Sequence, residues 1–296
     1  MNLCMNTGNE NWLLNVVDCP EDILQAVEAD LEPYIRSCSE TAPMNQNCGK
    51  VICMKSAEEH IDKKDMVVQV KWTTSMCLRT LLRKIIRSYF YQLMASCGWV
   101  QIHAGAVINR TNEVFLFAGD KGTGKTSSVL ASILKNNDIR FISNDRVLIH
   151  PSDSYIIGWP TAVGIGNVTK DILGIKQSGY VSHNKSWFWP SEIREMGIDI
   201  EKGGRIKEII VPAFDLEEKN IEVKKETLDA PSLLLKNIRH DALDEDQYWK
   251  IPTPKQGEYG NWISTTDWCK QLVCTRLRCG GLTDDYFDVL KKVISV

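Results

Sequence analysis

One stretch restricts this chain more than any other: Gly119-Asp120-Lys121-Gly122-Thr123-Gly124-Lys125-Thr126. It satisfies the P-loop pattern G-x-x-x-x-G-K-[ST] in full. Val114-Phe115-Leu116-Phe117-Ala118, an apolar run of strand length, leads into it, and a helical pattern follows from Ser127 to Lys135. Strand, glycine loop and helix are the context that the mechanics of the motif require. Glycines let the backbone turn its N–H groups toward phosphate oxygens, and the helix N-terminus adds a partial positive charge. The motif predicts a nucleoside triphosphate, ATP or GTP, held by Gly119, Asp120, Lys121, Gly122, Thr123, Gly124, Lys125, Thr126 and Ser127. Lys125 is expected to reach the β- and γ-phosphates, and the Thr126 hydroxyl to ligate Mg²⁺.

The flanking sequence adds two candidates. Ile139-Arg140-Phe141-Ile142 reads as a strand closed by Ser143-Asn144-Asp145, with Asp145 twenty positions after Lys125. That interval fits one helix and a return strand, so Asp145 is expected beside the phosphates as a partner of the metal. Upstream, Val100 to Ile108 reads as a strand joined to Val114–Ala118 through the polar turn Asn109 to Glu113, which predicts a hairpin. His103 lies on it, next to the small residues Ala104-Gly105-Ala106, which would let another backbone or a ligand approach closely. A histidine there is either a proton relay or a structural residue.

Composition narrows the class further. A chain of 296 residues with 43% hydrophobic and 25% charged residues has material for a large core. A net charge of −3 gives no basic field, so no nucleic acid is expected. No apolar run reaches the length of a membrane span, and the polar start Met1 to Thr7 lacks the regions of a signal peptide. The expectation is a cytoplasmic protein without a membrane partner. Its ten cysteines form no Cys-x-x-Cys pair, and reduced thiols without a metal are expected.

Elsewhere the pattern is coarser. Val67 to Trp72 reads as a strand, and Leu78 to Met94 as an amphipathic helix with Arg79, Arg83, Lys84 and Arg87 on its solvated side. Pro160 to Gly166 reads as a loop, Ser191 to Met196 as a short helix, Ile209 to Val211 as a strand and Tyr286 to Val293 as a helix. Three portions follow: an α+β portion over 1–75, a P-loop core over 76–235, and a mainly helical portion over 236–296.

His103-Ala104-Gly105-Ala106-Val107, the loop Gly119–Thr126 and Ser143-Asn144-Asp145 stand in the order and spacing of the HPr kinase/phosphorylase family, and the chain resembles its divergent members over about residues 99 to 150. The resemblance implies an α/β fold in which a mixed sheet of the HPr kinase/phosphoenolpyruvate carboxykinase type carries the P-loop. It implies a kinase that transfers phosphate to a hydroxyl of a protein serine, a peptide or an amino-acid-like small molecule, and a homo-oligomeric state. The family's paired aspartates read here as Asn144-Asp145. Asp145 matches the metal-side member, whereas Asn144 replaces the residue assigned as base toward the hydroxyl. The family's glycine-rich segment for engaging HPr is absent, which argues against that protein as acceptor. Lys185 and Arg205, each in a polar stretch, are candidates for the cation that stabilises transition-state charge in related kinases, or else surface residues. A nucleotide-driven ligase or tailoring enzyme and a regulator without turnover stand as alternatives to the kinase.

Overall fold

The computed structural model describes residues 1–6, 11–38, 48–150, 152–215, 217, 220–226, 229–238, 248–249, 251 and 267–295. Its contacts divide the chain into two units, Met1–Trp99 with His240–Lys255, and Val100–Arg239 with Gln256–Val296.

The first unit holds β1 (Asn2–Asn6), β2 (Asn11–Val17), α1 (Glu21–Leu31), β3 (Arg36–Cys38), β4 (Gly49–Lys55), β5 (His60–Lys64), β6 (Val67–Trp72) and α2 (Ser75–Ser96). The strands form one mixed sheet in the order β3-β1-β2-β4-β6-β5. Thr74 caps α2 by accepting the Cys77 N–H. Leu78, Leu82, Ile85, Ile86, Tyr89 and Met94 bury the helix face that the periodicity marks. The Tyr89 hydroxyl donates to the Leu13 carbonyl (2.7 Å) and accepts the Gly49 N–H (2.9 Å), tying helix to sheet. Two expectations change here. The boundary falls at 99/100 rather than 75/76, because α2 spends its apolar face on this sheet. The basic side of α2 is not wholly solvated either: Arg79 and Arg83 converge on Asp30 of α1 at 2.7 and 2.6 Å. Asp30 is fully buried, and a buried carboxylate needs such partners.

The second unit contains β7 (Val100–Ile102), β8 (Gly105–Ile108), β9 (Glu113–Phe117), α3 (Lys125–Leu134), β10 (Arg140–Ser143), β11 (Val147–Ile149) and β12 (Tyr155–Gly158). It continues with β13 (Val163–Gly166), α4 (Asn167–Leu173), β14 (Tyr180–Ser182), β15 (Lys185–Phe188), α5 (Pro190–Glu195) and β16 (Gly203–Phe214). β17 (Glu222–Glu226), α6 (Ala230–Lys236), α7 (Asp267–Lys270), β18 (Val273–Cys279) and α8 (Asp284–Ile294) complete it. The main sheet runs β10-β8-β9-β16-β12-β11-β7, with β18 pairing β16 and β17. The predicted hairpin is β8–β9, antiparallel with Ile108 opposite Val114.

The run 100–108 keeps its two-residue alternation but breaks at His103-Ala104. Val100, Ile102, Ala104, Ala106 and Ile108 all enter one core, with Val114, Leu116, Val147 and Ile149. Because β7 and β8 are successive pieces of one run yet pair with β11 and β9 respectively, the sheet curls back toward itself. Val107, Phe115 and Phe117 face the opposite core, which α3 and α8 cover.

The last third departs most from expectation. Val163–Gly166 is not a loop but a strand of a second sheet, β13-β15-β14, where Gly164 leaves room for the Trp187 ring. Residues 236–296, expected to be mainly helical, also hold a strand among the described ones: β18 lies parallel to the C-terminal half of β16. Cys274 and Cys279, five residues apart on that strand, enter opposite cores, as an odd interval on a strand requires.

Candidate functional site

The loop between β9 and α3 turns on glycines. Gly119, Gly122 and Gly124 all have positive φ, and Gly124, at +97°, also lies against the Phe214 ring. A Cβ at Gly124 would come 2.6 Å from that ring, so both backbone and space require glycine. Thr123 closes the turn by donating its hydroxyl to the Asp120 carbonyl at 2.9 Å. α3 begins immediately, and the N–H groups of its first turn have no intrahelical acceptor.

Lys125 is buried, and its ammonium folds back to donate to the carbonyls of Gly119 (2.8 Å) and Asp120 (2.9 Å). The charge therefore sits inside the curve of the loop. Thr126 is half-buried on the first turn. Ser127 meets Thr169 of α4 at 3.1 Å. Ser128 donates to the Gly124 carbonyl (2.9 Å) and meets the Tyr286 hydroxyl of α8 (2.6 Å), fixing the start of α3 from behind. Burial raises the Tyr286 phenol well above its ordinary value.

Topology brings the other candidates to the same end of the sheet. β8 lies between β10 and β9 and runs antiparallel to both, so the start of β8 adjoins the ends of its neighbours. The register sets Gly105 opposite Phe117 and Ala106 opposite Ser143. His103, Gly119 and Asp145 each lie two residues beyond that line. His103 Nδ1 is 3.2 Å from Asp145 Oδ1, and Arg146 Nε is 3.9 Å from Asp145 Oδ2. Ser143 holds the turn by donating its hydroxyl to the Arg146 carbonyl at 2.6 Å. Gly105 allows the approach: a Cβ there would meet the Asn144 carbonyl oxygen at 2.9 Å and Val129 of α3 at 2.5 Å. Asn144 is buried, with its side-chain oxygen unpartnered among the described residues.

Of the two downstream cations, Arg205 is set apart from the loop. Arg205 opens β16 opposite Glu113, at the start of parallel β9, and forms an ion pair with Asp153. The loop follows the other end of β9, about 13 Å away at 3.3 Å per residue. Lys185 is exposed on β15 opposite Gly166, with its ammonium 5.9 Å from the Trp187 ring centroid. The register corrects the expectation for Arg205 alone; Gly166, opposite Lys185, leads into α4, whose Thr169 meets Ser127 at the end of the loop.

A residue absent from the sequence reading stands there instead. Lys236, the last residue of α6, sets its ammonium 2.9 Å from Asp120 Oδ1 and 3.0 Å from Oδ2. Its hydrogen bond holds the Asp120 carboxyl below the usual carboxylate range. The next two residues dock on the break between β7 and β8: the Asn237 carbonyl accepts the His103 N–H at 2.7 Å, and Ile238 bridges to Ile102. Lys236, Asn237, His103, Gly119 and Asp120 line a cleft of about 170 Å³. Asp229 caps the start of α6 by accepting the Ser232 N–H.

Among the described residues no group of three or more His, Cys, Asp or Glu side chains is placed to hold a metal. No described helix is long and apolar enough to cross a membrane. No protein-family model matches the chain, and no curated protein matches it. Among solved structures the chain is similar to the HPr(Ser) kinase/phosphatase from Coxiella burnetii, at 10% identity and a TM-score of 0.30, over 66% of this chain and 93% of the other. That likeness is too distant to carry an argument, and the functional reading rests on the site.

Proposed function

We propose that this protein is a Mg²⁺-dependent kinase that binds ATP or GTP at Gly119–Ser127 and transfers the γ-phosphate to a hydroxyl of a peptide or small-molecule acceptor. The observation that carries the reading is the buried Lys125 ammonium, held inside a glycine loop at a helix N-terminus, with Asp145 at the end of the next strand but one. In this reading the loop N–H groups and Lys125 take the β- and γ-phosphates.

The donor set suits Mg²⁺ brought with a nucleotide. That ion uses one or two protein oxygens plus phosphates and water, so a complete protein cage is not required. The Thr126 hydroxyl and the partly exposed Asp145 carboxylate would hold it. Bound there, Mg²⁺ would neutralise charge on the phosphate oxygens. Asn144 cannot take a proton as a carboxylate does. The role of receiving the acceptor's proton passes to His103, oriented by Asp145 at 3.2 Å.

The test is to follow label from γ-labelled ATP or GTP, with Mg²⁺ and the pure protein, into a metabolite and peptide extract. Label on an extract component that disappears with Lys125→Ala and Asp145→Ala supports the kinase. Tight nucleotide binding without transfer or diphosphate release refutes it.

A further inference from the structure

We infer that Lys236 is the second phosphate-side cation of this site, resting on Asp120 when no nucleotide is bound and taking the terminal phosphate when a triphosphate arrives. The inference rests on the proposed nucleotide site and names a residue and a selectivity that the motif does not contain.

Position is the first argument. The Lys125 ammonium bonds the carbonyl of Asp120, and the Lys236 ammonium bonds the carboxylate of the same residue. Two cations from different elements thus bracket one residue of the loop. Lys125 marks the end of the loop where the β- and γ-phosphates lie. Lys236 therefore adjoins the terminal phosphate rather than the base or sugar. The cleft beneath it is also lined by His103, which places the same space beside the Asp145 turn.

Charge is the second argument. Asp120 is an exposed carboxylate within a loop whose purpose is to hold anions, and a like charge there opposes phosphate. Lys236 offsets it. Its side chain is 65% exposed and that of Asp120 69%, so the pair is weak, screened by salt and readily exchanged. A terminal phosphate, with nearly two negative charges, is the stronger partner for an ammonium.

Anchoring is the third argument. The Asn237 carbonyl on the His103 N–H and the Ile238 bridge to Ile102 fix the backbone that carries Lys236. Asn237 is itself buried, and its amide donates to the Leu233 carbonyl at 2.8 Å. The base of Lys236 is held while its head is free to change partner, as a cation completing a site only with substrate requires.

The experiment compares Mg²⁺-ATP and Mg²⁺-ADP affinities by titration calorimetry for the wild-type chain, Lys236→Gln, Lys236→Arg and Asp120→Asn. Loss of the terminal-phosphate contact in Lys236→Gln should weaken ATP about tenfold while leaving ADP within about twofold. Lys236→Arg, which keeps the charge, should recover most of the ATP affinity. Asp120→Asn, which releases Lys236 and removes the opposing charge, should tighten ATP relative to ADP a few-fold. Equal effects of Lys236→Gln on both nucleotides, or none on either, would overturn the inference and leave the nucleotide site standing. A wild-type chain that binds neither nucleotide would refute the site itself. Unchanged circular dichroism confirms that each variant is folded.

Discussion

Gly105 is the position where fold and site depend on the same missing atom. An alanine Cβ there would lie 2.5 Å from Val129 Cγ2 and 2.9 Å from the Asn144 carbonyl oxygen. Neither neighbour yields easily. Val129 is a stiff β-branched residue fully buried on α3, and the Asn144 oxygen is backbone at the end of β10. Overpacking of this kind costs about 2 kcal/mol. For a unit of this size that corresponds to a melting shift of about 4–8 °C. Relief must come by moving α3 outward, the Asn144-Asp145 turn away, or both. A displacement of a few tenths of an ångström in Asp145 would slow turnover about fourfold, given that a 1 Å error costs about a hundredfold. Urea unfolding of the full chain with linear extrapolation measures the first effect, and phosphate transfer at saturating nucleotide the second. Gly166→Ala serves as control: that glycine has ordinary φ with open space around it, so alanine there should cost no more than about 1 kcal/mol, from a poorer N-cap for α4, and should leave transfer unchanged. A Gly105→Ala chain as stable and active as wild type would refute the claim that close approach requires glycine here.

Other perturbations test other links. Asn144→Asp puts a carboxylate into a buried position beside Asp145, where desolvation and like charge both raise its pKa. The folded state then binds the extra proton more tightly, so the destabilisation is absent below the unfolded value of about 4 and grows as pH rises through the folded value. Urea midpoints at pH 4 and pH 8 should therefore diverge from wild type only at the higher pH. Equal deficits at both would refute the burial argument. Tyr286→Phe removes the 2.6 Å hydrogen bond behind the first turn of α3 and should cost about 1 kcal/mol in urea unfolding, leaving m unchanged. Cys269 is fully buried, and burial pushes its thiol up to about 12. At pH 8 a disulfide reagent should modify the exposed Cys97 promptly and reach Cys269 only after denaturant is added; prompt labelling in the folded chain would contradict its burial.

Locally encoded features were legible in the sequence. The strand-loop-helix around Gly119–Thr126 needed only an apolar run, glycines where φ must be positive, and a helical pattern behind them. The β8–β9 hairpin, β6 and α2 were readable for the same reason: turn chemistry and periodicity act between residues a few positions apart. Asp145 could be placed because one helix and one return strand leave few routes.

Contacts across long intervals were decided only by the tertiary structure. The break at His103-Ala104 leaves the two-residue alternation intact, so the pattern did not show that the run feeds two different strand partners. β18 was hidden because its partner β16 lies some sixty residues earlier, and parallel pairing carries no turn signal. Arg205 read as a plausible loop cation until register set it at the far end of β9. Lys236, more than a hundred positions from Asp120, read as an ordinary helix end. The sequence specified the backbone of the glycine loop through short-range sterics. Which charges stand around it follows from strand order and register, which depend on how distant segments share a core.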